Sequence, residues 1–145
     1  MNRNEMHLSF LGKSENEGFA RVVAAAFATK LNPTIDELSD IRTAVSEAVT
    51  NAIIHGYDNK AKTVYMDGEI EGNKITIVIR DKGKGIEDIE LAMQPFYTSR
   101  PNMDRTGMGF SVMQAFMDEV QVESIPNIGT SVTLIKQIKE AEGDD

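Results

Sequence analysis

Polar and apolar residues alternate at two different periods along this chain, and each change of period marks an element. His7-Leu8-Ser9-Phe10-Leu11 alternates and predicts a short first strand at a sheet edge. Ser14 with Glu17 has capping-box spacing and opens a helix expected to reach about Leu31. Phe19, Val22, Val23, Ala26 and Phe27 are its expected core face, with Arg21 off that stripe. Asn32-Pro33 breaks the chain, and Thr34 with Glu37 repeats the capping box. The second helix should run from Ile35 to His55, with Gly56 as its stop. Wound at about 100° per residue, it gathers Ile41, Val45, Ala48, Val49 and Ala52 on one side. Glu47 and Asn51 stack on a different stripe, with His55 one turn further on.

Thr63 to Glu71 and Lys74 to Arg80 read as strands joined by a tight turn at Glu71-Gly72-Asn73. From Asp81 to Gly109 the period is lost. This segment carries Gly83, Gly85, Gly107 and Gly109 with Pro95 and Pro101, and predicts a short helix over Ile86 to Met93 and a loop over Phe96 to Thr106. A helix then resumes, with Phe110, Val112, Met113, Phe116 and Met117 as core contacts. Val120 to Ser124 and Thr130 to Ile138 close the chain as strands around a turn at Pro126-Asn127-Ile128-Gly129. The acidic stretch from Glu140 to Asp145 is expected to fray. The order β-α-α-β-β-loop-α-β-β predicts a two-layer α+β sandwich, with a mixed, mostly antiparallel sheet and helices on one face. At 145 residues, 1–145 is expected to form a single domain.

Composition narrows the classes of function. A net charge of -8 disfavours binding nucleic acid through a phosphate-neutralising surface, though local pairs such as Lys82 with Lys84 or Arg100 with Arg105 could meet one phosphate group. The absence of cysteine excludes disulfides, thiolate metal sites and thiol nucleophiles. The longest apolar run, Val22 to Ala28, is too short to span a bilayer, and the first residues lack a signal-peptide core, so the expected setting is cytoplasmic.

Three stretches carry candidate chemistry. The Glu47–Asn51 stripe, taken alone, reads as a solvated helix face rather than a site. Asp81-Lys82-Gly83-Lys84-Gly85 leaves a strand expected to be central; its glycines allow backbone to approach a flat ligand, and an ionised aspartate accepts from an exocyclic amine. An ordinary turn would use the same residue types. Gly107-Met108-Gly109-Phe110 feeds a helix N-terminus, where unpaired N–H groups can meet phosphate, and a plain loop-to-helix turn is its alternative. The chain has no Walker loop, since no Gly-Lys-Ser or Gly-Lys-Thr follows these glycines.

These three boxes in this order, with Gly129-Thr130 before the last strand, resemble the GHKL superfamily of ATP-binding domains and imply its Bergerat fold. A closer likeness is to the anti-sigma F factors of spore-forming bacteria, serine kinases that also inhibit a sigma factor. It is carried by Asn4-Glu5-Met6, Phe19-Ala20-Arg21-Val22, the run from Glu47 to Tyr57, Gly107 to Phe110, and Phe116-Met117-Asp118-Glu119-Val120.

That resemblance implies Mg²⁺ held by Asn51 across the phosphates of ATP, with Glu47 as general base toward a protein serine. It implies Asp81 accepting from the adenine amine, Gly83 and Gly85 keeping the pocket floor clear, and Thr130 near the same base. Gly107 and Gly109 would carry the phosphates of ATP or ADP, Phe96 to Thr106 would be a lid, and Arg105 would be a γ-phosphate candidate. Arg21 would belong to the surface that meets a sigma factor and its anti-anti-sigma antagonist, which is the serine substrate. The family acts as a homodimer, and the first strand is the edge expected to pair. His55 is the rival base and reads as a helix-end histidine. Other readings are a nucleotide-gated anti-sigma module, a histidine-kinase-like catalytic domain and a hydrolytic ATPase. The two histidines and the lack of a phospho-acceptor helix pair weigh against the histidine kinase, and the lack of a transducer domain against the hydrolase.

Overall fold

Among the described residues, five strands form one sheet in the order β1-β2-β3-β5-β4, where β1 is Arg3–Leu11, β2 Thr63–Glu71, β3 Lys74–Asp81, β4 Glu119–Ile125 and β5 Gly129–Gln137. The computed structural model describes residues 2–93 and 109–139. Every ladder is antiparallel, so the sheet lies at the antiparallel limit of the mixed arrangement expected from the sequence. Alternation explains the pairing: Val64, Met66 and Ile70 of β2, Ile75, Ile77 and Ile79 of β3, and Val132 and Leu134 of β5 are all buried. The helices α1 (Glu15–Ala28), α2 (Ile35–Asn51) and α4 (Gly109–Phe116) cover that face.

β1 lies at the edge as expected but begins four residues earlier, at Arg3. Its polar start is held by cross-strand charge: Arg3 donates to Glu69, and His7 meets Asp67 at 2.7 Å.

α1 differs more. Its buried residues are Ala20, Ala24, Phe27 and Ala28, while Phe19 and Val22 are 51% and 57% exposed. The helix is rotated from the expected face because small residues let it approach α2 closely, where Ala44 and Ala48 are buried in turn. Ser14 makes no side-chain cap, because its own backbone is helical and the Glu17 N–H donates to its carbonyl, while the Glu17 carboxylate accepts from the Ser46 hydroxyl of α2. The Thr34–Glu37 capping box does form, with both reciprocal bonds present. The expected helix over 86–93 shrinks to one turn, α3 (Ile89–Ala92), capped by the Asp88 carboxylate.

The end of α2 positions the site. The α-helical ladder stops at Asn51 and is followed by one wide π turn, Ala52–Gly56, closed by the Tyr57 N–H donating to the Ala52 carbonyl at 3.0 Å. At the other side of the layer, the buried Lys136 ammonium donates to the Phe116 carbonyl at 2.7 Å and fixes the C-terminal end of α4 against β5.

Candidate functional site

Where α2, the end of β3, the β4–β5 turn and the start of α4 converge, they leave a cavity of about 550 Å³. Its lining includes Asn51, Asp81, Gly85, Gly109 and Thr130, five of the residues singled out in the sequence, brought together from four separate elements. That volume falls within the range of small-molecule and cofactor sites.

Asp81 is the buried charge of the site, at 7% exposure on the last residue of β3. Its Oδ1 accepts the Gly83 N–H at 2.9 Å, and the Thr130 backbone N–H also donates to it. Burial pushes its carboxyl above the ordinary carboxylate range, and the two N–H donors pull it back in part. The register explains the second donor, since Thr130 lies opposite Asp81 across the β3–β5 ladder.

Close backbone approach shapes the surrounding loop. A Cβ on Gly83 would sit 2.0 Å from the Gly56 carbonyl oxygen, a position open only to glycine. Gly85 has φ +77, and a Cβ there would meet the Ile125 carbonyl at 2.4 Å. Lys84 N–H donates to the Gly56 carbonyl, and Asn127 N–H donates to the Lys84 carbonyl. The Ser124 hydroxyl accepts from Ile86 N–H at 2.7 Å and lies 2.8 Å from the Thr130 hydroxyl. The glycine loop is thus seated between the π turn on one side and the β4–β5 turn on the other.

Gly56 is a residue the sequence reading treated only as a helix stop. A Cβ on it would come within 2.7 Å of the Asp81 carboxyl carbon. The only sequence signal for this was a glycine at the end of a helix, which fits a C-cap equally well. His55 lies in the last helical turn, as expected, and also lines the cavity from within the π turn.

Asn51 lies against the first residue of α4: its carboxamide is 3.0–3.2 Å from where a Gly109 Cβ would be. A single carboxamide beside a helix N-terminus suits an Mg²⁺ ion that takes most of its ligands from phosphate and water. Among the described residues no cluster of three or more His, Asp or Glu could hold a metal by itself. Glu47 is half-buried one turn before Asn51 and does not contribute to the described lining of the cavity. Gly83 shapes the loop from behind and does not line it either. Gly107, Arg105 and the loop from Phe96 to Thr106 lie outside the described residues.

Arg21 stands apart from the cavity. Its side chain is 41% exposed and its Nη1 lies 3.5 Å from both the Glu17 carboxylate and the Ser46 hydroxyl. It therefore leans toward Ser46 of α2, the residue before Glu47, while Phe19 and Val22 take the outward positions.

The histidine kinase-like ATPase domain model matches residues 13–136. An anti-sigma F factor of Thermoanaerobacter sp. (strain X514) is 62% identical over 135 residues, covering 93% of this chain and 94% of that protein. The chain belongs to the anti-sigma F factor family of histidine kinase-like ATPase domains. Another member of the family, from Anoxybacillus flavithermus, is 55% identical over 141 residues and is covered over 97% of both chains. The fold also matches the RsbU and RsbW domains of Rv1364c from Mycobacterium tuberculosis, with TM-score 0.67 at 16% identity, over 93% of this chain and 32% of that longer one. The catalytic domain of histidine kinase ThkA aligns with TM-score 0.57 at 18% identity, over 95% of this chain and 97% of that one. Among the described residues no helix is long and apolar enough to cross a membrane.

Proposed function

We propose that this chain is an anti-sigma factor that binds Mg-ATP and phosphorylates a serine of a protein antagonist, releasing ADP. The observation that carries this is the convergence of Asn51, Asp81, Gly85, Gly109 and Thr130 on one cavity, in a chain 62% identical to an anti-sigma F factor. In this reading the adenine amine donates to Asp81, and the Thr130 hydroxyl stands beside the same edge. Gly83 and Gly85 keep the backbone close to the ring. The phosphates point toward Asn51 and the N-terminus of α4, where Gly109 leaves room and the helix dipole favours negative charge. Asn51 would hold the Mg²⁺, which neutralises phosphate charge when bound. Gly107 and Arg105 are assigned to the phosphates from the sequence.

Glu47 is assigned as general base. It removes the proton of the acceptor serine as the serine oxygen bonds to the γ-phosphorus and the bond to the β-phosphate oxygen breaks. Arg21 is assigned to the partner surface, for both the sigma factor and the anti-anti-sigma antagonist. Self-association is assigned to the β1 edge, as a homodimer.

One observation favours a second reading, in which ATP gates sigma-factor binding without chemistry: Glu47 does not contribute to the described cavity lining. Glu47→Ala separates the two. Radiolabelled ATP, the purified chain and the antagonist should yield acid-stable phosphoserine. In Glu47→Ala that transfer should be lost while ATP-dependent capture of the sigma factor persists. Undiminished transfer would remove Glu47 as base, and acid-labile phosphate would point instead to histidine chemistry.

A further inference from the structure

The site described above leaves one buried hydroxyl without a task. We propose that Tyr57 is a positioning residue for the base-reading loop, tying the residue after Asp81 to the start of β2 so that the Asp81 carboxylate keeps a fixed orientation. The inference rests on the reading of Asp81 as the acceptor of an exocyclic purine amine.

Tyr57 follows the π turn directly and is 4% exposed. Its hydroxyl donates its single proton to the Thr63 carbonyl at 2.6 Å and accepts the Lys82 N–H at 2.7 Å. Those are a phenol's donor role and one of its acceptor roles, both toward backbone. The β3–β5 ladder ends at the Asp81–Thr130 pair, so the Lys82 amide is the first one past the sheet. The tyrosine therefore carries the restraint of the ladder one residue further, up to the Gly83 N–H that holds Asp81 Oδ1. On the far side the loop is held separately, through Lys84 to Gly56 and Ile86 to Ser124. Tyr57 is the tie on the residue next to Asp81.

Lys82 is an exposed loop residue past the end of the ladder, and phenylalanine at 57 keeps the ring packed while removing only the hydroxyl. The loss then falls on the order of the loop more than on folding. That separates a positioning role from a structural one.

The test is Tyr57→Phe, with calorimetric titration of ATP and of purine riboside triphosphate, which has hydrogen where adenine has its amine. ATP affinity should fall about three- to tenfold, the range expected for one neutral hydrogen bond, while the analogue changes little. The preference for ATP should narrow accordingly. Equal losses for both nucleotides, or unchanged ATP affinity, would overturn the proposal. A wild-type chain that binds both nucleotides equally would instead remove the reading of Asp81 on which it rests. Amide exchange on the wild-type chain provides a check independent of the variant. Without nucleotide, the Lys82 amide should exchange as slowly as the ladder amides of β3, and fast exchange there would also overturn the proposal.

Discussion

Adding one methyl group at Gly56 tests whether Asp81 reads the base, without altering Asp81 itself. Gly56 is not among the glycines at positive φ, so alanine meets no backbone strain and its cost lies in the contact it makes. The new Cβ would stand 2.7 Å from the Asp81 carboxyl carbon and 2.8 Å from each carboxylate oxygen. To restore ordinary contact the carboxylate must retreat by about half an ångström or more, which pulls it off the Gly83 and Thr130 N–H groups and out of line with the amine. A hydrogen bond to a charged group contributes about 1.5–3 kcal/mol, so ATP affinity should drop roughly 10- to 150-fold. The assay is equilibrium ATP binding by Gly56→Ala, Asp81→Asn and the double variant, with thermal melting to establish that each is folded. Because both substitutions act on one interaction, the double variant should lose far less than the sum of the two. A folded Gly56→Ala chain that binds ATP within about twofold of wild type, or a double variant with additive losses, would refute the reasoning.

Three further outcomes follow from the fold. Thr34→Ala removes the α2 capping box and should cost about 1 kcal/mol in denaturant unfolding, with nucleotide affinity unchanged. Met113→Ala opens a void at a fully buried position of α4 and should cost about 2–5 kcal/mol in the same experiment. His7 is hydrogen-bonded first to Asp67 and then to Glu5, which raises its pKa above 6.5 in the folded chain, with Arg80 and Arg3 engaging the same carboxylates. The protonated imidazole therefore adds stability below pH 6.5 that is lost as pH rises through the folded value. Melting temperature should decline over that window in the wild type, and His7→Gln should flatten the decline.

The β2–β3 hairpin was legible almost to the residue, because period-two alternation and a glycine turn are local signals. The Thr34 cap was legible for the same reason. The face of α1 was not. A pattern that ranks residues by size places Phe19 and Val22 inside, whereas closely approaching helices select alanine and turn the larger groups outward. The Ser14 cap failed because Ser14 takes helical rather than extended backbone angles, and the Glu17 half of the box went to the Ser46 hydroxyl on another helix; local spacing shows neither. At the site, the three boxes were legible, and Asn51, Asp81, Gly85 and Gly109 from them line one cavity together with Thr130. What spacing could not show is that Gly56, Tyr57 and Ser124 build the seat of the glycine loop, since each acts through a partner 25 to 38 residues away.

The β4–β5 turn has a consequence for the order in which the molecule is assembled. β5 lies between β3 and β4, and from outside the glycine loop Asn127 of the turn before β5 holds Lys84 while Ser124 near the end of β4 holds Ile86. Residues up to Asn51 and Asp81 leave the ribosome well before this turn does, yet the loop has no outer wall until Ser124, Asn127 and Thr130 arrive. The cavity therefore cannot close until the β4–β5 turn has been made. A nascent chain that stops short of β5 exposes the strand edge of β3 and lacks the Thr130 donor to Asp81, so nucleotide capture becomes a property of the finished sheet.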